Sequence, residues 1–227
     1  MSIGPIATEG AFLRARRPEQ KQQRYLAILD AARALALRDG VGAVSLTAIA
    51  AEVGMHKSAL LNYFDTREEI FLRLTETEWE AWADGLVTEL GRDPVDEQRL
   101  VEVLTASLVD RPLFCQLLTH SPLTLERNAS IDAARRSKGA AMRAAAAVAD
   151  AVHAASPALS RDACTELVMA TGLMAAGLWQ VAHPPPVVVA LFAESAEQRG
   201  FPQAAPIDFA DAVARFIRIH VAGLRRV

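Results

Sequence analysis

The sequence predicts an all-α protein, with an N-terminal three-helix helix-turn-helix domain joined to a larger helical domain, nine to ten helices in all. Three observations carry that expectation. Apolar residues recur at helical spacing along nearly the whole chain, and sustained period-two alternation is missing. The Gly, Pro and Ser/Thr residues fall where helix ends want them. With 52% hydrophobic and 22% charged residues, the 227-residue chain has material for a sizeable core and is not globally disordered.

Taken in order, Tyr25, Ile28, Leu29, Ala32, Leu35 and Ala36 make one apolar stripe on the first helix. Gly40 follows, where a helix end can take a positive φ. Ser45 caps a short second helix carrying Leu46, Ile49, Ala50 and Val53, and Gly54 ends it. A third helix spans about Lys57 to Phe64. Thr66-Arg67-Glu68-Glu69 reads as a capping box, in which the Thr66 hydroxyl and the Glu69 carboxylate each satisfy an orphan amide. The helix it opens carries Ile70, Phe71, Leu74, Trp79, Trp82 and Leu86 and fades at Gly91.

Proline punctuates the rest. Arg111-Pro112 divides a helix over 96–109 from a short one over 113–120, and Ser121-Pro122 opens another expected to reach Ala155. Ser160 caps a helix whose last sixteen residues, Leu167 to Ala182, carry no charge. That run falls short of the roughly 18–20 residues of a membrane span and contains Thr171, Gly172, Gly177 and Gln180, so it reads as a buried helix. Helices over 187–199 and 207–225 complete the count. No membrane association is expected.

The net charge of −3 conceals an uneven distribution. Residues 1–70 hold nine Lys/Arg and eight Asp/Glu, a net of +1, which leaves −4 for the remainder. Residues 11–24 hold Arg14, Arg16, Arg17, Lys21 and Arg24 against Glu19, a net of +4. A basic arm of this kind, expected to be flexible over residues 1–17, can reach a minor groove or phosphates. Its basic residues follow its apolar ones, the reverse of a secretory signal, so the expected location is cytoplasmic.

Chemistry-bearing constellations for catalysis are missing. Cys115 and Cys164 fit a reducing compartment, and Cys115 and His120 lie five apart on one helix, which does not set them side by side. Glu76, Glu78 and Glu80 read as a solvated face, and no His/Cys/Asp/Glu group has metal-ligand spacing. No metal, cofactor or catalytic residue is therefore expected, although a helical binding protein without DNA contacts, or a helical enzyme, remains an alternative.

Residues 45–64 are the informative stretch. Two short helices that cross at a turn need a small residue at the crossing and a positive φ in the turn, and Ala50 and Gly54 supply them. With Ile49, Val53, Met55, Leu60 and Phe64 inward, the third helix presents His56, Lys57, Ser58, Ala59, Asn62 and Tyr63. That face holds no acid. Asn62 can read adenine, the Ala59 methyl can meet thymine, and Lys57 and Tyr63 suit phosphates. Ser45, Thr47 and Arg67 join them at helix N-termini, where anions are favoured.

Residues from about 18 to 82 resemble the DNA-binding domain of the tetracycline-repressor (TetR) family of bacterial transcription regulators. The resemblance rests on Ile28-Leu29-Asp30-Ala31-Ala32, Ile49-Ala50-Ala51-Glu52-Val53-Gly54, Lys57-Ser58-Ala59-Leu60-Leu61-Asn62-Tyr63-Phe64 and Arg67-Glu68-Glu69-Ile70. Three positions depart from the family pattern: His56 stands for a capping Ser/Thr, Leu61 for a phosphate-binding Tyr and Arg67 for Lys. The resemblance implies a helix-turn-helix domain over 18–66, a connecting helix over 67–91 and an effector-binding and dimerisation domain over 92–227.

It also implies a homodimer on a pseudo-palindromic double-stranded DNA operator, more often repressing than activating. The family's last two long helices form a four-helix bundle with their symmetry mates. The candidates here are Gly172, Ala176 and Gly177, with Phe209, Val213, Phe216, Ile217 and His220 on the terminal helix. An effector pocket is expected among Trp79, Trp82, Phe114, Leu118 and Met142, with Trp179, Asn128 and His183 beside them, for an apolar or aromatic small molecule. A ligand that tilts helix 67–91 would shift the two reading helices from the one-turn spacing of about 34–36 Å.

Overall fold

The structure, a computed structural model, describes residues 9–194, 198, 200 and 207–225, with side chains from residue 19 onward. Ten α-helices and no strand occur among them: α1 (Glu9–Asp39), α2 (Leu46–Glu52), α3 (Lys57–Leu60), α4 (Arg67–Leu90), α5 (Glu97–Val109), α6 (Pro112–His120), α7 (Ile131–Ala155), α8 (Arg161–Ala182), α9 (Pro186–Ala193) and α10 (Phe209–Leu224).

Most of the expected punctuation is in place. Gly40 and Gly54 both take positive φ, +86° and +64°. Ser45 Oγ accepts from Ala48 N at 3.1 Å and Thr66 Oγ1 from Glu69 N at 3.2 Å. Ser160 Oγ accepts from Ala163 N at 3.2 Å, and Pro112 and Pro186 sit in first turns, where no intrahelical N–H is needed.

The differences have physical causes. The helix expected to open at Ser121-Pro122 does not form there. Pro122 has no N–H to give the preceding turn, and the chain widens into a π-turn (Ser121–Leu125) and then a 3₁₀ turn (Glu126–Asn128). The long helix starts only at Ile131, capped by Ser130. Half of the expected capping box is redirected as well. Glu69 Oε1 accepts from Ser130 Oγ at 2.5 Å and Ser130 N at 3.3 Å, which ties the start of α4 to the start of α7. The first helix is continuous from Glu9, so residues 9–17, expected as a flexible arm, lie in α1; the side chains of Arg14, Arg16 and Arg17 fall outside the described residues. The helix expected to reach Arg199 ends at Ala193. The third helix, expected to run to Phe64, ends at Leu60; the chain tightens into i→i−3 bonds, Asn62 N to Ala59 O and Tyr63 N to Leu60 O, so Asn62 and Tyr63 sit in the turn that follows it.

Two apolar clusters divide the chain. One gathers α1, α2, α3 and the first half of α4, from Ile28 through Leu74, with Leu113 and Leu117 of α6. The other runs from Trp82 of α4 through α5, α7, α8 and α10. Helix α4 contributes to both, and its most extensive partner is α7. Glu76 and Glu78 depart from the solvated face expected of them. They are 3% and 7% exposed and pair with Arg73 and with Arg33 of α1, a charge link between the first helix and the connecting one. No single described helix is long and apolar enough to cross a membrane, although α8 and α9, bent by 60°, satisfy length and composition together.

Candidate nucleic-acid interface and effector cavity

The candidate reading surface is built from leftovers of packing. Ile49, Leu60 and Phe64 are buried beneath α2 and α3, and Val53 and Met55 pack partly against them. His56, Lys57, Ser58 and Asn62 are left exposed, with Ala59 and Tyr63 half-buried at the edge. The turn holds its shape through Met55 N donating to Ala50 O at 2.8 Å. His56 makes no side-chain cap bond, so its imidazole is not committed to the helix start.

A cleft of about 240 Å³ lies between α1 and the reading helix, lined by Lys21, Gln22, Tyr25, Asn62 and Tyr63. Tyr25 stacks on Phe64 with ring centroids 4.9 Å apart. Lys21 and Gln22 thereby become neighbours of the reading face, and the motif did not include them. The signal was available: Lys21 stands one turn before Tyr25, which begins the buried stripe.

Arg67 is turned the other way from the expectation. Its guanidinium donates to the carbonyls of Val41 and Val44, pairs with Glu68 at 3.2 Å and lies 4.6 Å over the Phe71 ring. A planar fork that spans two carbonyls is a task for Arg more than for Lys. Arg67 thus clamps the loop before α2 to the start of α4. Ser45 is used as the α2 cap, and Thr47 is exposed on the first turn of α2.

In the larger domain the aromatic candidates fill their own space. Trp79, Trp82 and Phe114 meet at centroid distances of 5.0–5.6 Å, and Trp82 Nε1 donates to Ser107 Oγ at 3.0 Å. Trp82 and Phe114 are each 1% exposed, and Leu118 packs against the same cluster. Burial pushes the neighbouring Cys115 thiol up to about 12, so it is an inert core group. Asn128 is exposed in the 3₁₀ turn and Met142 is exposed on the outer face of α7; neither reaches the cluster. No set of three metal-binding side chains occurs among the described residues.

Trp179 and His183 are brought together, stacked at 3.8 Å at the end of α8, with Phe209 edge-on to Trp179 at 5.1 Å. They line a cavity of about 280 Å³ at the seam between the two clusters. Its other walls are Gly40, Val41 and Gly42 of the reader loop and Gln116, Thr119 and His120 of α6. Burial, and next the Arg67 charge, lower the pKa of His120 from its ordinary value. A second cavity of about 320 Å³ lies between α4 and α5, with the Glu89–Arg99 ion pair on its wall. A broader groove of about 820 Å³ runs between α5 and α10.

The dimer candidates divide. Phe209, Val213 and Ile217 are buried against the chain's own α5 and α8 and belong to its core. Gly172 faces Trp79, where a Cβ would stand 3.7 Å from the ring. The Ala176 carbonyl accepts from Thr119 Oγ1 at 2.9 Å. Phe216 and His220 stack at 5.5 Å, half-buried, and Gly177 has open space around it. The face of α8 that does point outward is Met169, Leu173, Gly177 and Val181, spaced by four, with Leu173 71% exposed. Gly177 was expected there; Met169, Leu173 and Val181 were missed because a run without charges shows no polarity contrast between its faces.

Two family models match the chain. The model described as bacterial regulatory proteins of the tetR family covers residues 28–74, and the tetracyclin repressor-like C-terminal domain covers residues 76–227. The chain belongs to the TetR family. It is accordingly a DNA-binding, ligand-responsive transcription regulator. The fold recurs in the TetR-family repressor FadR of Thermus thermophilus, solved with lauroyl-CoA: TM-score 0.54, 15% identity, over 88% of this chain and 94% of that one. It recurs again in a TetR-family regulator from Mesorhizobium loti, with TM-score 0.53 and 15% identity over 89% and 97%. No curated protein sequence matches the chain.

Proposed function

We propose that this TetR-family chain acts as a cytoplasmic homodimeric repressor. It binds a pseudo-palindromic operator through α3 and is released by a small-molecule effector. The observation that carries the reading is the acid-free surface of α3 and the turn after it, with His56, Lys57, Ser58 and Asn62 exposed and Lys21 and Gln22 beside it. Lys57 and Lys21 serve phosphates, and Asn62 serves a base edge in the major groove. Residues 18–66 form the reader, 67–91 the connecting helix and 92–227 the sensor.

A single module of this size binds DNA weakly, so a dimer is needed. The stripe Met169, Leu173, Gly177 and Val181 suits a second copy, because Gly177 lets a facing helix approach closely. Ile219 of α10, which packs against α8, is 62% exposed and offers a second copy further apolar surface.

The test is a titration of labelled DNA from upstream of the chain's own gene. Wild-type protein is expected to shift it, and Lys57→Ala to weaken binding while reducing the salt slope by roughly 0.9. Asn62→Ala is expected to cost about 1–3 kcal/mol at one base position. Binding that ignores all three of Lys57, Asn62 and Lys21 sinks the assignment of α3.

A further inference from the structure

Val41 is held from both sides. Its N–H donates to Gln116 Oε1 of α6 at 3.0 Å, and its carbonyl accepts from Arg67 of α4. Gly40, with φ +86°, precedes it, and Val44 one turn later is also held by Arg67. The loop that sets α2, and through it the reading helix, is therefore gripped by one sensor helix and by the connecting helix. The seam cavity opens on this grip. An occupant there touches Val41 and Gly42 of the reader together with Gln116 and His120 of the sensor.

We propose that the seam cavity is the effector site, and that its ligand is a compact, neutral, planar heteroaromatic with adjacent hydrogen-bond donor and acceptor. This rests on the reading of the chain as a ligand-released regulator. Size comes first. About 280 Å³ lies at the small end for ligand pockets and suits an occupant of one or two rings. Shape comes next: the stacked Trp179–His183 pair gives the cavity an aromatic wall. The third argument is charge. No carboxylate lines the cavity, and burial with the nearby Arg67 charge favours the neutral form of His120, which carries one donor and one acceptor. Gln116 spends its carbonyl on Val41 and has its amide nitrogen to offer, and Gln180 spends its nitrogen on the Ala176 carbonyl and has its own carbonyl to offer.

A ligand acceptor that draws Gln116 towards itself removes the bond to Val41 N. Of the side-chain bonds to Val41 and Val44 only those from Arg67 then remain, so the loop can follow α4 and α2 and α3 change their angle to the sensor. This route is direct: the occupant touches the reader loop without first having to tilt α4.

Full-length protein labelled with ¹⁵N is titrated with nicotinamide, 2-pyridone and quinazolin-4-one, and in a separate arm with lauroyl-CoA. At least one ring compound is expected to move the Val41 and Gly42 amides and the Gln116 side-chain amide, and to weaken operator binding at least five-fold. Gln116→Ala is expected to weaken operator binding several-fold without ligand. Gln180→Trp, at an exposed position on the cavity wall, is expected to lose the ring-compound shifts while the fold is kept. The inference is overturned if none of the three compounds moves those amides at millimolar concentration, or if lauroyl-CoA releases the operator with its shifts confined to the Trp79–Phe114 core. A chain that never binds its upstream DNA fails the regulator reading instead, and the amide shifts then test the cavity alone.

Discussion

On α3 and its flanking residues the side chains with useful chemistry, His56, Lys57, Ser58 and Asn62, lie outside the core. In the larger domain Trp82 and Phe114, singled out by the same kind of reasoning, lie inside it, with Trp79 partly buried against them. The difference follows from what each side chain gains by burial. A polar residue on a small amphipathic helix loses hydration if it turns inward, so its outward position is decided locally. A tryptophan gains by burial wherever a partner is available, and whether that partner is a ligand or another ring depends on the tertiary packing. Residue type therefore tells which side chains stay exposed better than it tells which line a pocket.

The comparison can be broken most forcefully at Trp82. Removing a ring that is 1% exposed and bonded to Ser107 is expected to destabilise the protein by about 3–5 kcal/mol, while Lys57→Ala leaves the melting temperature unchanged. Calorimetry on the two variants decides. A Trp82→Ala protein of normal stability would mark the cluster as a preformed ligand site and restore the symmetry between the two regions.

Helix α8 sharpens the contrast, since it carries a face that packs inside and a face that does not. Leu173→Glu is expected to raise the dimer dissociation constant at least ten-fold, about 1.4 kcal/mol, with little change in helicity. Ile217→Ala, on α10, is expected to lower stability and leave the association state alone, because Ile217 is 0% exposed within its own chain. Sedimentation velocity on both separates them. The reverse outcome would return the interface to Phe209, Val213 and Ile217.

Arg67 tests the seam where the two regions meet. Arg67→Lys keeps the charge and loses the fork across the Val41 and Val44 carbonyls, at a cost of about 1.5–3 kcal/mol in thermal or denaturant unfolding. The salt dependence of operator binding should not change. A salt slope reduced by roughly 0.9 with normal stability would make Arg67 a phosphate contact after all.

Local signals were legible wherever one residue decides its own neighbourhood. Ser45, Thr66 and Ser160 cap their helices, and Gly40 and Gly54 take the positive φ that their turns require. Signals failed where two local readings competed. Ser121-Pro122 and Ser130 both look like helix starts, and only Ser130 also finds Glu69, 61 residues away. The terminal helix failed for another reason. Phe209, Val213, Ile217 and Val221 form one apolar face, with Phe216 and Ile219 beside it, and spacing alone does not say which faces its own chain. Arg67 was legible as a cation, but its partners are backbone carbonyls, which no side-chain pattern records.

The smallest expected effect lies at His120, where the reader loop and the sensor touch through a titratable group. Its folded pKa is lowered by burial and then by Arg67, so the unfolded chain takes up the proton more readily. The sign follows: stability is at its full value above the ordinary imidazole pKa of 6.5 and declines as pH falls below it, because protonation favours the unfolded state. His120→Gln removes this contribution, so the stability of the variant should fall less between pH 7.5 and pH 5.5 than that of wild type. The same protonation places a cation between Gly42 and Arg67, on the wall of the seam cavity. Operator affinity should weaken over the same range in wild type and less in the variant. Stability and operator affinity with the same pH dependence in both proteins would show that His120 does not connect the two regions.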